Sequence, residues 1–261
     1  MTRRRKKKDK RRFRGVYLLP NLITTGSLFA GFYAIVAAIN GKFHAAAVAI
    51  LISLLLDGLD GRVARITRSS SNFGVQYDSL ADLVAFGVAP AILVYLWALK
   101  PFKQFGWVAA FLFVVCGALR LARFNVQTGT IDPRYFNGLP IPAAATMIAT
   151  SIIFYYEIGE WAPEKYLYIL VMIYLLSFLM VSNIKYVSFK KVELFKRHPF
   201  QTLVALVLLF VVVATIPETM GFLLMGAYVA SGPVSTVWYL RQKRAEEKAE
   251  EETPAPKPSE P

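Results

Sequence analysis

The chain has one cysteine and two histidines among its 261 residues. Cys116 has no second cysteine to pair with, so an intrachain disulfide framework is excluded and nothing is implied about redox compartment. It lies in an apolar run and reads as a small buried hydrophobe. His44 and His198 have no paired ligands nearby and read as surface residues. Acidic side chains are scarce too: 17 Asp and Glu stand against 30 Lys and Arg, a formal net charge of +13. No internal repeat is evident. No cleavable signal peptide is expected either, because the apolar run after the basic start is long and lacks a good cleavage site.

What is present is apolar sequence. Hydrophobic residues make up 56% of the chain, and the mean hydropathy is +0.45. The apolar residues recur in runs of about 20, the length a helix needs to cross hydrocarbon. A span in lipid must satisfy its backbone within itself, so helices are the default. The fold class expected is an all-α, polytopic transmembrane bundle of about eight spans. They fall near residues 21–39, 44–67, 76–99, 106–120, 140–156, 166–182, 200–216 and 220–240. Residues 1–14 form a basic, disordered segment, and 15–240 form the membrane domain. Residues 241–261 form a charged, proline-rich tail expected to be disordered.

The positive charge is read by the membrane, not by nucleic acid. With the N-terminus inside, 26 of the 30 basic residues fall on inner segments and only Lys42, Lys100, Lys103 and Lys165 on outer ones. Such a bias places both termini in the cytoplasm. The basic run at residues 1–14 reads as a topology determinant and a contact for anionic membrane lipids.

Acidic groups inside spans are costly, about 2.5 kcal/mol or more at the centre, and mark function. Four of them fall in two consecutive spans. Asp57 and Asp60 are three apart, late in the second span. Asp78 and Asp82 are four apart, early in the third. Each pair shares a helix face. The short link between the spans makes them antiparallel neighbours and brings all four acids to a similar depth, near the cytoplasmic boundary. Carboxylates brought together this way either share protons or bind cations. Hard oxygen ligands suit Mg²⁺, with Mn²⁺ or Ca²⁺ as substitutes. Four carboxylates suit two ions better than one, and two ions can clamp a pyrophosphate. Gly61 and Gly74 lie one turn from the acids and let a bulky ligand approach the backbone. Arg65 follows closely and can contact phosphate.

The pattern Asp57-x2-Asp60-Gly61-x2-Ala64-Arg65-x8-Gly74-x3-Asp78-x3-Asp82 resembles the signature of the CDP-alcohol phosphatidyltransferase family at every fixed position. The resemblance implies in-line displacement at the β-phosphorus of a CDP-lipid, with release of CMP. It implies that Asp57, Asp60 and Asp78 hold metals. Asp82 would be a second-metal ligand and the candidate base for the acceptor hydroxyl. Gly61, Ala64 and Gly74 would line the nucleotide pocket. A homodimer is implied as well; the charge bias is what places it in the cytoplasmic membrane with the active site toward the cytoplasm.

Further segments are similar to the branch of this family that pairs CDP-diacylglycerol with L-serine. They are Pro20-Asn21-Leu22-Ile23-Thr24, the stretch from Leu83 to Pro90, Leu119-Arg120-Leu121-Ala122-Arg123-Phe124-Asn125, and the stretch from Gly138 to Ala145. Arg120 and Arg123 end the fourth span at the level of the aspartates. One of them can hold the serine carboxylate through a guanidinium fork, and Asn125 offers a neutral donor and acceptor. The same arginines would also serve as topology anchors or contacts to the donor's phosphates. Other acceptors remain open at this point, among them glycerol phosphate, inositol phosphate and choline. A cation-coupled transporter is the alternative of a different class. Its sites usually lie near the midplane on interrupted, repeated helices, unlike these acids.

Overall fold

A computed structural model of the chain describes residues 18–67, 71–127, 135–159, 165–187, 204, 207 and 215–252. The basic segment 1–14, the basic loop 190–197 and most of the expected span 200–216 lie outside the described residues. The elements are almost all helical. They are α1 (Leu18–Ile39), α2 (Phe43–Ile66), α3 (Asn72–Phe102), α4 (Gln104–Gln127), α5 (Ile141–Glu157), α6 (Lys165–Val181) and α7 (Pro217–Glu252). Five of them contain segments long and apolar enough to cross a membrane: Leu19–Ile39, Phe43–Ala64, Asn72–Phe102, Gln104–Val126 and Pro217–Trp238. A shorter apolar helix is Leu167–Val181, and the fifth expected span is α5.

The packing is inverted relative to a water-soluble core. Alanines 34, 37, 38, 46, 47 and 49 are buried where α1 and α2 contribute to the interior. On the same helices the large apolar side chains of Leu22, Phe29, Phe32 and Leu55 are exposed. Lipid is as apolar as leucine, so burying large side chains gains little there. Small residues gain close backbone approach instead. The all-α membrane class follows from this pattern as much as from span length.

α1 is the splint of the bundle. It turns back into α2 through Gly41, whose φ of 73° suits a residue without a side chain. It packs along both α2 and α3. Ser27 and Ser53 pin the α1–α2 register: their hydroxyls are 2.8 Å apart, and each also reaches the other's carbonyl. Against α3 the approach is closer still. A Cβ on Gly31 would lie 2.6 Å from the Cα of Ala85.

α3 is not a uniform helix. Asn72–Asp82 is α-helical, Leu83–Val88 and Tyr95–Leu99 are π-helical turns, and Lys100–Phe102 is a 3₁₀ turn. The π-turns bracket Pro90, whose ring clashes with the carbonyl four residues back in a regular helix. The first π-turn begins directly after Asp82.

α5 starts just after Pro140, with Pro142 in its first turn, where a missing N–H costs nothing. The prolines thus shape the helix start. Its middle is buried from Ala144 to Ile153, between α2 on one side and α7 on another.

Two features depart from the expectations. A short antiparallel ribbon joins β1 (Tyr135–Asn137) to β2 (Lys185–Val187), pairing Phe136 with Tyr186. It brings the link after α4 beside the link after α6. The second departure is α7, which does not lose its structure at Arg241 but runs as helix to Glu252. Its sequence there is rich in Ala, Glu, Lys and Arg, all strong helix formers. A helix needs no core to propagate through such residues once it has a nucleus.

The Gly31 contact makes a testable statement. Gly31→Leu should lower the thermal unfolding midpoint of the purified protein in detergent, by an amount equivalent to about 1–3 kcal/mol of overpacking. Gly58→Ala, where a Cβ meets nothing within 4 Å, should leave the midpoint unchanged or raise it. Equal midpoints for Gly31→Leu and wild type would remove the close α1–α3 crossing.

Candidate metal and active site

The acid pairs are set by local structure first. Asp57 and Asp60 occupy the last two turns of α2 before its basic end. Asp78 and Asp82 occupy the second and third turns of α3. The phase of α3 is fixed at its start, where the backbone N–H of Gly74 donates to Ser71 Oγ at 3.0 Å. Because α1 packs along both helices, it holds the two acid-bearing faces toward one another.

The result is a compact cluster. One carboxylate oxygen from each of Asp57, Asp60 and Asp78 lies within 4.8 Å of the other two. Two full charges at that separation repel by about 3.5 kcal/mol at an effective dielectric of about 20. Carboxylates this close either share protons or bind a cation. The donor set is all oxygen, which suits Mg²⁺ or Mn²⁺. Asp78 Oδ1 is buried and has no hydrogen-bond partner among the described residues, as a lone pair directed at an ion would be. These residues fit a divalent cation.

Asp82 does not join that triad. Its carboxyl meets the carboxyl of Asp57 at hydrogen-bonding distance, one turn deeper along α3. The four acids expected at one site thus divide into a cluster of three and a fourth behind it.

The neighbouring groups explain how the cluster is held. Asp60 is buried, and Thr24 of α1 donates its hydroxyl to Asp60 Oδ2 at 2.7 Å. The backbone of Gly61 also bonds the Asp60 carboxylate. Thr25, one residue on, lies 2.9 Å from the hydroxyl of Tyr77, beside Asp78. A pocket opens over these groups. Pro20, Asn21 and Thr24 line it from α1, Asp60, Gly61 and Ala64 from α2, and Ser71, Gly74, Val75 and Asp78 from the start of α3. Gly61, Ala64 and Gly74, the expected nucleotide-side residues, all face it.

The two glycines differ in kind. At Gly61 a Cβ would meet nothing within 4 Å. At Gly74 a Cβ would lie 3.2 Å from Ser71 Oγ and 3.4 Å from Asn21 Oδ1. Its bareness therefore also protects the helix cap and the α1 contact. The side chain of Arg65 lies outside the described residues.

The α4 residues separate. Arg120 is 8% exposed and interacts electrostatically with Asp82 and with Tyr228 of α7. Its Nε has no hydrogen-bond partner among the described residues. Arg123 instead donates from Nη2 to Asn183 Oδ1 at 2.7 Å, tying α4 to the link after α6. Asn125 donates to Ser79 Oγ at 3.0 Å, next to Asp78. Three residues expected in one role thus have three different partners.

Sequence spacing assigns no role to Thr24, Ser71 or Tyr228. For Thr24 the signal in the sequence is a hydroxyl early in an apolar run. Nothing in sequence spacing relates Tyr228 to Arg120.

Thr24→Val tests the support of the cluster. Losing a hydrogen bond to a ligating carboxylate typically costs 10–100-fold in metal affinity. Titration of the purified protein with Mn²⁺, followed by electron paramagnetic resonance, should show binding weakened by about tenfold or more. Wild-type affinity would mean that the Thr24–Asp60 bond does not order the site.

The family model described as CDP-alcohol phosphatidyltransferase matches residues 17–176. The chain is 47% identical over 180 residues to a CDP-diacylglycerol–serine O-phosphatidyltransferase of Helicobacter pylori, covering 68% of this chain and 75% of that protein. It is 39% identical over 170 residues to an archaetidylserine synthase of Methanothermobacter thermautotrophicus, covering 64% and 69%. A CDP-diacylglycerol–serine O-phosphatidyltransferase of Bacillus subtilis is 36% identical over 178 residues, covering 66% and 92%. The matched region contains the triad, Asp82, the pocket above them and Arg120, and on that ground the chain belongs to the CDP-alcohol phosphatidyltransferase family.

Proposed function

We propose that the protein transfers the phosphatidyl group of CDP-diacylglycerol to L-serine, giving phosphatidylserine and CMP. The observation that carries the reading is the aspartate cluster beneath an open pocket, in a chain 47% identical to a relative named for this reaction. The Bacillus subtilis relative bears the same name, and the archaeal one is named for a serine lipid.

The residues divide the work as follows. Asp57, Asp60 and Asp78 hold divalent metal, Mg²⁺ or Mn²⁺ and as two ions, with Asp82 as a ligand to the second. When bound, the metal offsets the charge of the pyrophosphate and of the departing CMP oxygen. Thr24 keeps the Asp60 carboxylate in its orientation. Gly61, Ala64 and Gly74 leave room for the nucleotide, and Arg65 contacts phosphate. Asp82 accepts the proton of the serine hydroxyl. That oxygen then attacks the β-phosphorus in line, and the bond from this phosphorus to the oxygen bridging to CMP breaks. Arg120 binds the serine carboxylate through its Nε–H, which has no partner among the described residues. Asn125 holds Ser79, and with it the turn of α3 that carries Asp78. Arg123 anchors the end of α4 through Asn183.

The membrane arrangement belongs to the same reading: eight spans, both termini in the cytoplasm, and the site facing the cytoplasmic side of the inner membrane as part of a homodimer. The charge bias, 26 of 30 basic residues on the inner segments, supports this orientation. The active site then opens where a water-soluble amino acid is available.

An acceptor panel tests the function. Purified protein with labelled CDP-diacylglycerol and Mg²⁺ or Mn²⁺ should yield a labelled lipid with L-serine. Glycerol phosphate, inositol phosphate and choline should give none above background. A product with one of these and none with serine would overturn the acceptor.

Asp82→Asn tests the base. It should reduce turnover by about 10²–10⁴-fold, while a CDP-lipid binding assay stays near the wild-type result. Loss of donor binding that excess metal restores would make Asp82 chiefly a metal ligand.

A further inference from the structure

The turns of α3 that carry Asp78 and Asp82 have little apolar packing of their own. In Asn72–Asp82 only Ala81 is buried. Ala85, Phe86 and Gly87 are buried in Leu83–Val88, and five of the six residues in Ala89–Val94. The π-helical turn at Leu83–Val88 lies between the acid-bearing turns and the well-packed part of the helix. Such a turn changes helix rotation locally, so the packed part does not by itself fix where Asp78 points. A rotation of about 20° carries a group about 5–6 Å from the helix axis through about 2 Å. That is enough to open a cluster whose oxygens lie within 4.8 Å of one another.

Hydrogen bonds hold the acid-bearing turns from both flanks. Tyr77 and Ser79 precede and follow Asp78, so each lies about 100° round the helix from it, on opposite sides. On one flank Asn125 of α4 donates to Ser79 Oγ at 3.0 Å. On the other, the hydroxyls of Tyr77 and of Thr25 in α1 are 2.9 Å apart. Thr25 donates its one hydroxyl proton to the carbonyl of Asn21 at 2.7 Å, so the Tyr77 phenol is the donor to Thr25 Oγ1. The Tyr77 ring is itself stacked on Phe73, one turn earlier, with centroids 6.0 Å apart and planes 8° from parallel. Adjacent hydroxyls of α1 thus reach both acid-bearing helices. Thr24 bonds Asp60 of α2 at 2.7 Å, and Thr25 bonds the turn of α3 that carries Asp78.

We propose that Tyr77 is a positioning residue for the metal site: its bond to Thr25 fixes the rotation of the first turns of α3 and so holds Asp78 toward Asp57 and Asp60. The inference rests on the metal reading given above. Tyr77 is not among the residues that line the pocket, and it acts through Asp78. Its hydroxyl stands farther from the axis of α3 than the shorter Asp78 side chain reaches, so a given rotation displaces it more. A hydrogen bond stretched to about 3.6 Å is no longer one. The tie therefore resists rotations smaller than those that would open the cluster.

Tyr77→Phe in the full-length protein, with Mn²⁺ binding followed by electron paramagnetic resonance, is the test. The phenylalanine keeps the stack on Phe73 and removes only the hydroxyl. Mn²⁺ affinity should fall about three- to tenfold, the size of one lost hydrogen bond. The Mn²⁺ concentration for half-maximal turnover should rise by the same factor. Thr25→Val should show a similar loss, and Thr25→Ser, which keeps the acceptor oxygen, should stay within about twofold of wild type. The double variant of Tyr77→Phe and Thr25→Val should bind no worse than the weaker single variant, because both remove the same bond. A Tyr77→Phe affinity within about twofold of wild type would overturn the proposal even if the thermal midpoint falls, since a packing role alone moves the midpoint and not the metal affinity. Losses that multiply in the double variant would overturn it too. If the wild-type protein binds no Mn²⁺, the metal reading fails and the positioning role fails with it. Wild-type binding with an unaffected Tyr77→Phe removes the positioning role alone.

Discussion

Three carboxylates within 4.8 Å of one another at the edge of an apolar bundle are the constraint on which the rest of the structure depends. Left ionised and alone, they would drive their helices apart. A divalent cation would turn the same repulsion into attraction, and the Asp78 oxygen without a hydrogen-bond partner among the described residues fits such an ion. The scaffold has to bring the acids together before any ion can repay the effort. Most of the packing around α1, α2 and α3 can be understood as meeting that demand.

Close helix approach meets it. α1 contributes no acid, yet it packs along both helices that do. Its contacts are made by alanines, by Gly31 and by the Ser27–Ser53 pair. Bulky side chains there would widen the crossings and separate the carboxylates. The large apolar residues are displaced to the lipid-facing surface, where they cost nothing. Thr24 links this scaffold to the chemistry, because the helix that sets the spacing also supplies a hydrogen bond to Asp60. The π-helical turn after Asp82 is part of the same arrangement. It changes the rotation of α3 at the point where the acid face ends and the buried Phe86 face begins.

The two ends of the site are built differently. The pocket over the acids is made by three helices consecutive in sequence, with short links and local caps. The surroundings of Arg120 are assembled from distant parts, α4 and α7, and the β-ribbon in turn holds α7.

Much of the acid cluster was legible in the sequence. Asp57, Asp60, Asp78 and Asp82 stand out because charge in apolar runs is expensive, and spacings of three and four place each pair on one helix face. The helical class and the start of α5 at Pro140 and Pro142 follow from span length and proline geometry. These are local or periodic properties, and a linear sequence carries them directly. Tertiary structure decided which carboxylates share a cluster and which one stands behind it. It also sent Arg120 and Arg123 to different partners although they are only three residues apart. It placed the Thr24 hydroxyl on Asp60, 36 residues away, and Tyr228 beside Arg120. Such contacts depend on helix rotation and crossing distance. Those are set by the summed packing of small side chains across several helices, and no spacing within one segment encodes that sum.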